Sequence, residues 1–353
     1  MNTARTTLAD LAAFDEIIDV RSPAEFAEDH IPGAINCPVL DNEQRIQVGT
    51  LYKQVSPFEA KKIGAALIAE NIGRHLRERF LEKPKEWKPL ICCWRGGNRS
   101  GSMTTIFRAI GWKACQLEGG YKTYRSHVIA ELEKLPARFE FKVICGPTGS
   151  AKTRVLQAIG ERGEQILDLE GLASHKGSVL GVLPGEPQPS QKWFETSLHL
   201  ALKSFDPARP VYVEAESRKI GNLHLPQALI DGIRAGECLT IAASLAARVD
   251  FLMVDYDYFL TLPELLIERL NVLQGLQSRE TLARWHEWVK TGAWQPLVEQ
   301  LLALHYDPLY QRSQNHNFTG LNAPQVFGAD TLTPDGINRL AGQIIQSRTA
   351  QIA

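Results

Sequence analysis

Short apolar runs separated by longer helical patterns organise the first third of the chain. Residues 16–20 (EIIDV), 90–93 (LICC) and 113–117 (KACQL) read as strands, because apolar or β-prone residues cluster over four or five positions. Between them apolar residues recur at helical spacing, over Pro57–Phe80 and Arg99–Ile110. Strands alternating with helices predict a small parallel sheet covered by helices. A last amphipathic helix, about Tyr121–Leu135, has to stop at Pro136, which cannot continue it. The expected domains are therefore residues 1–136 and 137–353.

The same pattern then restarts with a predicted strand over Phe139–Cys145, a glycine-containing turn and a helix from Lys152. Further strands are predicted at Gln165–Leu169, Pro210–Glu214 and Phe251–Val254, and Pro263–His305 is helix-rich, with Trp285, Trp288 and Trp294 near one another. The expected fold class is α/β: a parallel-sheet domain followed by a second α/β domain with a helical C-terminal part.

Composition narrows the function classes. At 353 residues the chain exceeds one small module, and 44% hydrophobic with 22% charged residues is the profile of a protein that buries real cores. Lys and Arg total 39 against 40 for Asp and Glu, so any nucleic-acid surface has to be a local patch. The first twenty residues carry Asp10, Asp15, Glu16 and Asp19 and no apolar run, so neither a signal peptide nor a membrane span is expected, and the expected location is the cytoplasm. Six cysteines without a CxxC pair argue against disulfides or structural zinc.

One cysteine stands in chemically suggestive company. Residues 93–100, CWRGGNRS, lie between the run LICC and a helical pattern. A thiol at a strand end, followed by a glycine turn and a helix start, sits where backbone N–H groups and the helix dipole converge. That setting favours the thiolate, and Arg95 and Arg99 add positive charge, which makes Cys93 the expected nucleophile. Gly96 and Gly97 let the backbone curl around an anion, with Asn98 and Ser100 in the same turn. Cys92 should face the opposite side of the strand as a small core residue. Residues 19–38, DVRSPAEFAEDHIPGAINCP, resemble the N-terminal signature of rhodanese domains, and CWRGGNRS resembles their active loop, in which a cysteine carries sulfur as a persulfide. The resemblance implies that Asp19 and Arg21 form a structural pair beneath the loop. The C-x5-R spacing is one residue longer than in the usual sulfur-transferring loop and suits a larger tetrahedral anion. Cysteine phosphatases share that spacing but usually carry His where this chain has Cys92.

Residues 146–153, GPTGSAKT, have the strand-before, helix-after context of a phosphate-binding loop. Backbone amides over Gly146, Thr148, Gly149, Ser150 and Ala151 would cradle a diphosphate or longer polyphosphate. Lys152 would neutralise its charge, and Thr153 could place a hydroxyl on Mg²⁺. Ala151 stands where G-x-x-x-x-G-K-[ST] has its second glycine, which counts against ordinary nucleotide geometry. Asp168 and Glu214 are candidate acidic partners, although for these and Glu216 a solvated strand-end carboxylate is an equal alternative.

The order of the two domains, rhodanese-like and then P-loop NTPase-like, resembles the bacterial tRNA 2-selenouridine synthase family over almost the whole chain. Four further stretches carry the likeness: QVGTLYKQ at 47–54, LEGLASHKGSVLG at 169–181, VEAESRKIGNLHLP at 213–226 and LLALHYDPLYQRS at 301–313. The resemblance implies a tRNA carrying 2-thiouridine at the wobble position, with geranyl diphosphate and selenophosphate as co-substrates rather than tightly bound cofactors. Sulfur would first be S-geranylated and the geranylthio group then replaced by selenium, with Cys93 accepting selenium before transfer. A selenophosphate-producing enzyme would be a partner, no membrane would be involved, and no protein-built metal site is expected. Arg218 and Lys219 are the expected tRNA-phosphate contacts, whereas Arg74, Arg77, Arg79, Lys83, Lys85 and Lys88 interleave with Glu78, Glu82 and Glu86 and read equally well as a solvated face. Trp285 and Trp288 could wall a geranyl pocket, although helix tryptophans are more often core. A sulfurtransferase or Cys-dependent phosphatase with an attached NTPase domain, and a non-catalytic adaptor, are the competing readings.

Overall fold

The computed structural model describes residues 4–317 and 325–352. Two compact units divide the chain, Met1–Ala130 and Glu131–Ala353. The first holds a parallel sheet of β1 (Arg5–Thr6), β2 (Glu16–Asp19), β3 (Ile35–Asn36), β4 (Pro89–Cys92) and β5 (Cys115–Leu117), in the order β1-β5-β4-β2-β3. With it are α1 (Pro23–Glu28), α2 (Asn42–Gln54), α3 (Pro57–His75), α4 (Asn98–Ile110) and the start of α5 (Gly120–Leu132). Every residue of β4 is buried, as a strand covered on both faces requires.

Local signals set the helix ends. The Ser56 hydroxyl accepts from the Phe58 and Glu59 amides and Pro57 opens α3, a cap worth about 1 kcal/mol. The helix expected to run to Phe80 instead passes at Leu76 into a wider turn, Leu76–Phe80. Phe80 is thereby set against Trp87 and Phe107, with ring centroids 5.2 and 5.3 Å away. Gly111, in the left-handed conformation, ends α4. Pro136 falls in a short 3₁₀ turn, Leu135–Arg138, beyond the end of α5.

The second unit has a parallel sheet and a small antiparallel ribbon. Its strands are β6 (Phe141–Cys145), β7 (Gln165–Leu167), β8 (Val211–Glu214), the ribbon pair β9 (Lys219–Ile220) and β10 (Leu223–His224), β11 (Glu237–Ala243) and β12 (Gln325–Ala329). The sheet order is β12-β11-β6-β8-β7. Its helices begin with α6 (Lys152–Gly160), α7 (Leu169–Ala173), α8 (Gln191–Ser204), α9 (Gln227–Ala235) and α10 (Leu245–Asp255). There follow α11 (Tyr258–Thr261), α12 (Pro263–Asn271), α13 (Arg279–Thr291), α14 (Trp294–Leu301), α15 (Asp307–Asn317) and α16 (Pro334–Ile352). Residues 251–254, expected as a strand, belong to α10, because a four-residue apolar run has no periodicity and the Ser244 hydroxyl caps a helix upstream of it. Two strands without a sequence prediction, β11 and β12, complete the sheet on that side.

Sheet order fixes where ligands can approach. The chain leaves β6 for β8 and β7 on one side and later adds β11 and β12 on the other, so the crevice at the carboxyl end of β6 is a topological switch point. Val155, Leu156 and Ile159 of α6 pack with Leu340, Ala341 and Ile344 of α16 in the core. Helices α11 to α14 close a separate apolar cluster around Trp285. Among the described residues no helix is long and apolar enough to cross a membrane.

Candidate active site

In the first unit, β4 delivers Cys93 to the loop preceding α4. The Cys93 Sγ accepts from the Gly97 amide at 3.3 Å and from the Ser100 hydroxyl at 3.0 Å. Gln116 of β5 donates its Nε2 to that hydroxyl at 2.8 Å and to the Gly97 carbonyl at 3.0 Å, which orients the Ser100 proton toward sulfur. Two donors thus converge on one sulfur.

Close approach, rather than flexibility, explains the glycines. Gly96 is left-handed, and a Cβ on it would meet the Leu117 carbonyl at 2.7 Å. Gly120, also left-handed, would place a Cβ 2.2 Å from the Cys93 carbonyl, which bonds the Tyr121 amide. Gly97, expected to share this role, has ordinary backbone angles and open space around it, so Gly96 and Gly120 carry the requirement. Arg95 is exposed on the loop, and Asn98 is exposed at the first position of α4. Arg99 does not reach Cys93 but pairs with both carboxylate oxygens of Glu25, at 2.6 and 3.2 Å. Burial opposes ionisation of Glu25, yet Arg99 and the Ser22 amide outweigh it and hold the carboxyl below its ordinary range.

Beneath the loop Arg21 is buried, donating to Asp19 and to the Asp29 carbonyl, with its guanidinium 3.8 Å from the Tyr121 ring centroid. This is a structural pair. Cys92 is fully buried, and burial followed by the Asp19 charge pushes its thiol well above the ordinary value, so it is no competing nucleophile.

In the second unit, β6 runs into the phosphate-binding loop and α6 leaves it. Lys152 Nζ donates to the Gly146 carbonyl at 3.1 Å. Gly149 is left-handed and a Cβ there would lie 2.9 Å from Leu252. Ala151 is also left-handed, at φ 60° and ψ 28°, a conformation costing a non-glycine residue about 1–2 kcal/mol. Its methyl packs in the core, which offsets part of that cost. Ser150 turns its hydroxyl inward, so its backbone amide, bonded to the Pro147 carbonyl, is what it contributes to the loop.

An acidic cluster faces the loop. The Thr153 hydroxyl bonds to Glu170 at 2.9 Å and to Glu214 at 3.1 Å, and one carboxylate oxygen from each of Glu170, Glu214 and Glu216 lies within 4.8 Å of the others. Glu214 is 1% exposed, and its Oε1 has no hydrogen-bond partner among the described residues. Burial, then the neighbouring carboxylates, pushes Glu170 up to about 8 and Glu214 well above the ordinary value. Burial raises Glu216 as well. Asp168, the other expected acidic partner, instead caps α7, accepting from the Gly171 amide at 2.7 Å, and Glu170 takes the place assigned to it. Arg218 lines the same polar cleft, and Lys219 is exposed next to it on β9.

Three distant stretches converge on this cleft. Residues 169–181 bring Glu170, Lys176 and a left-handed Gly177, whose missing Cβ leaves room for the Glu170 and Glu216 carboxylates. Residues 213–226 bring Glu214, Glu216 and Arg218, and residues 301–313 bring His305 and Tyr306. The last stretch also supplies Asp307, which grips Arg248, whose Nε in turn donates to the Thr148 carbonyl within the loop at 2.8 Å. Residues 139–278 match the family described as tRNA 2-selenouridine synthase AAA domain, and residues 4–127 match the rhodanese-like domain. The chain is 36% identical over 327 residues to the tRNA 2-selenouridine synthase of Alcanivorax borkumensis, covering 83% of this chain and 88% of that protein. The chain belongs to the tRNA 2-selenouridine synthase family. The Nitrosomonas europaea synthase is also 36% identical, over 244 residues, 68% of this chain and 63% of that protein. That of Bdellovibrio bacteriovorus is 29% identical over 342 residues, 83% of this chain and 87% of that protein.

Several site residues of this family member had no local signal. Gln116 is a lone polar residue on a short buried strand, and Arg248 and Asp307 matter only as a pair 59 positions apart in sequence. His305 is buried beside the cleft, and burial lowers its pKa, keeping the imidazole neutral. Its Nε2 has no hydrogen-bond partner among the described residues. Trp285 and Trp288, expected at a geranyl pocket, line neither the polar cleft nor the apolar cavity beside it. Trp285 is core, with its indole N–H donated to Gln300, Trp288 lies against Arg284, and Trp294 lines the apolar cavity.

Proposed function

We propose that the chain converts wobble 2-thiouridine in tRNA to 2-selenouridine in two steps, the first at the phosphate-binding loop and the second at Cys93. The observation that carries this reading is the pairing, in one chain of this family, of a thiol held by two donors with a Lys152 loop facing three carboxylates. In the first step the thiocarbonyl sulfur attacks C1 of geranyl diphosphate, the C1–O bond breaks, diphosphate departs and the base loses its N3 proton. Lys152 and the loop amides oppose the charge that develops on the departing diphosphate, and Arg218 with Lys219 holds tRNA phosphates. Thr153, Glu170 and Glu214 fit a divalent cation such as Mg²⁺, since Glu214 Oε1 has no hydrogen-bond partner among the described residues and three carboxylates crowd round the one Lys152 charge. A cation there would add positive charge beside the diphosphate.

The second step takes selenium from selenophosphate. The Cys93 thiolate attacks phosphorus, the P–Se bond breaks, and selenide adds to C2 of the base and expels geranyl thiolate; water then cleaves the S–P bond. Carrying selenium on the Cys93 sulfur, as the rhodanese likeness implies, would need a two-electron reductant to free the product, which this route does not. Selenophosphate would come from a separate enzyme that makes it.

Two variants separate the steps. Lys152→Ala is expected to abolish geranylation of 2-thiouridine tRNA and leave selenation of pre-geranylated tRNA largely intact. Cys93→Ser is expected to geranylate but accumulate the S-geranyl nucleoside when given selenophosphate. Nucleoside mass spectrometry from both starting tRNAs reads the outcome. Selenouridine from Cys93→Ser would make the cysteine structural, and geranylation by Lys152→Ala would assign the loop another ligand.

A further inference from the structure

The polar cleft is continuous with an apolar one. Thr148, Ser178, Leu252, Tyr256 and Tyr306 line both, so a second, apolar cavity meets the floor of the phosphate-binding loop at a mouth formed by these five residues and is open to solvent at its rim. Beyond that mouth the walls are Phe259 of α11, Leu266 of α12, and Trp294, Leu297 and Leu301 of α14. Apart from the Trp294 indole N–H, side-chain polar groups occur only among the shared residues. At the mouth the Ser178 hydroxyl bonds to both Tyr256 and Tyr306, and burial keeps both phenols protonated, so no charge lines the cavity.

Protein interiors close-pack, and an apolar cleft opening beside an anion-binding loop is a shape that an amphiphile satisfies and a nucleotide does not. A base and ribose would bring polar edges into a cavity that offers them few partners. Resting on the reading of the Lys152 cleft as a diphosphate site, we propose that this cavity holds the hydrocarbon chain of a prenyl diphosphate. Its α11, α12 and α14 walls then set which chain length is accepted. The diphosphate lies over residues 146–153, C1 sits at the mouth between Thr148 and the two tyrosines, and the chain runs toward Leu266 and Leu297.

Affinity measured by calorimetry on the full chain tests this. The ligands are unreactive geranyl and dimethylallyl thiolodiphosphates and inorganic diphosphate. Each CH₂ taken out of water strengthens binding about fourfold, so after ordering costs the geranyl analogue is expected to bind at least about a hundredfold tighter than inorganic diphosphate. Val298 and Leu260 line the cavity and are partly exposed, so they tolerate enlargement. Val298→Trp and Leu260→Trp, each checked for an unchanged melting curve, should cut the preference for geranyl by about tenfold or more, spare the dimethylallyl analogue and leave inorganic diphosphate unaffected. Equal affinity for geranyl and inorganic diphosphate in the unaltered protein, or a preference untouched by both tryptophans, overturns the proposal. Binding with the expected pattern but without transfer to tRNA keeps the cavity assignment and defeats the geranylation reading instead. A folded protein that binds none of the three loses both.

Discussion

Ser100→Ala isolates the smallest piece of the thiol site. The substitution removes one hydroxyl from a fully buried position and leaves the Gly97 amide on Cys93 Sγ and the Gln116 amide on the Gly97 carbonyl. A hydrogen bond to a charged group contributes about 1.5–3 kcal/mol, and each 1.4 kcal/mol is tenfold in an equilibrium. Because the hydroxyl approaches sulfur at 3.0 Å and has its proton directed there by Gln116, its loss should slow reaction at Cys93 by roughly ten- to a hundredfold. Pseudo-first-order alkylation by iodoacetamide, read as loss of the unmodified Cys93 peptide by mass spectrometry, measures that reactivity. Only a small stability change is expected, so a melting curve checks that the fold is retained. Cys92, buried and with a raised pKa, should stay unlabelled in both proteins. A Cys93 rate within threefold of the unaltered protein would show that Ser100 does not set the reactivity of this sulfur and that the Gly97 amide and helix terminus suffice.

Two further outcomes follow from the second unit. Glu170 ionises near 8 in the folded unit against 4.5 in the unfolded chain, so the folded state keeps a proton that the unfolded state releases, and stability is full below 4.5 and falls as pH rises through 8. Denaturant midpoints without divalent cations should therefore drop between pH 5 and 8; Glu170→Gln should flatten that slope and Mg²⁺ should offset it at pH 8, whereas an unchanged slope in Glu170→Gln would show that this carboxyl is not the source. Changing Arg218 and Lys219 together to Ala should weaken tRNA binding and reduce the slope of log affinity against log salt by roughly 1.4 to 1.8, at about 0.7–0.9 per phosphate contact; an unaltered slope removes both from the footprint.

Both loops are legible in the amino-acid sequence because each is contiguous. Cys93 with its glycines, and GPTGSAKT between a strand and a helix, concentrate their chemistry within eight residues, and backbone amides at a helix start do the rest wherever the chain folds. The α/β class followed from alternating patterns, since a strand buried on both faces is predominantly apolar, as PLIC in β4 is and as FKVIC in β6 is apart from Lys142, whose ammonium pairs with Glu140 and Glu237. What sequence did not decide is which separated residues meet. FLMV at 251–254 is apolar in a helix as it would be in a strand, and β12 joins the sheet only because β11 offers it an edge. Arg99 carries a charge that suits an anion, yet the fold places Glu25 within 2.6 Å of it. Asp168 and Glu170 are two residues apart, and only the direction of α7 makes one a helix cap and the other a partner of Thr153. The apolar cavity is the fullest case, because its walls come from several helices and its mouth from the phosphate-binding loop. Local pattern sets each element's buried face, and the packing of those faces against one another decides whether a ligand-sized space is left between them.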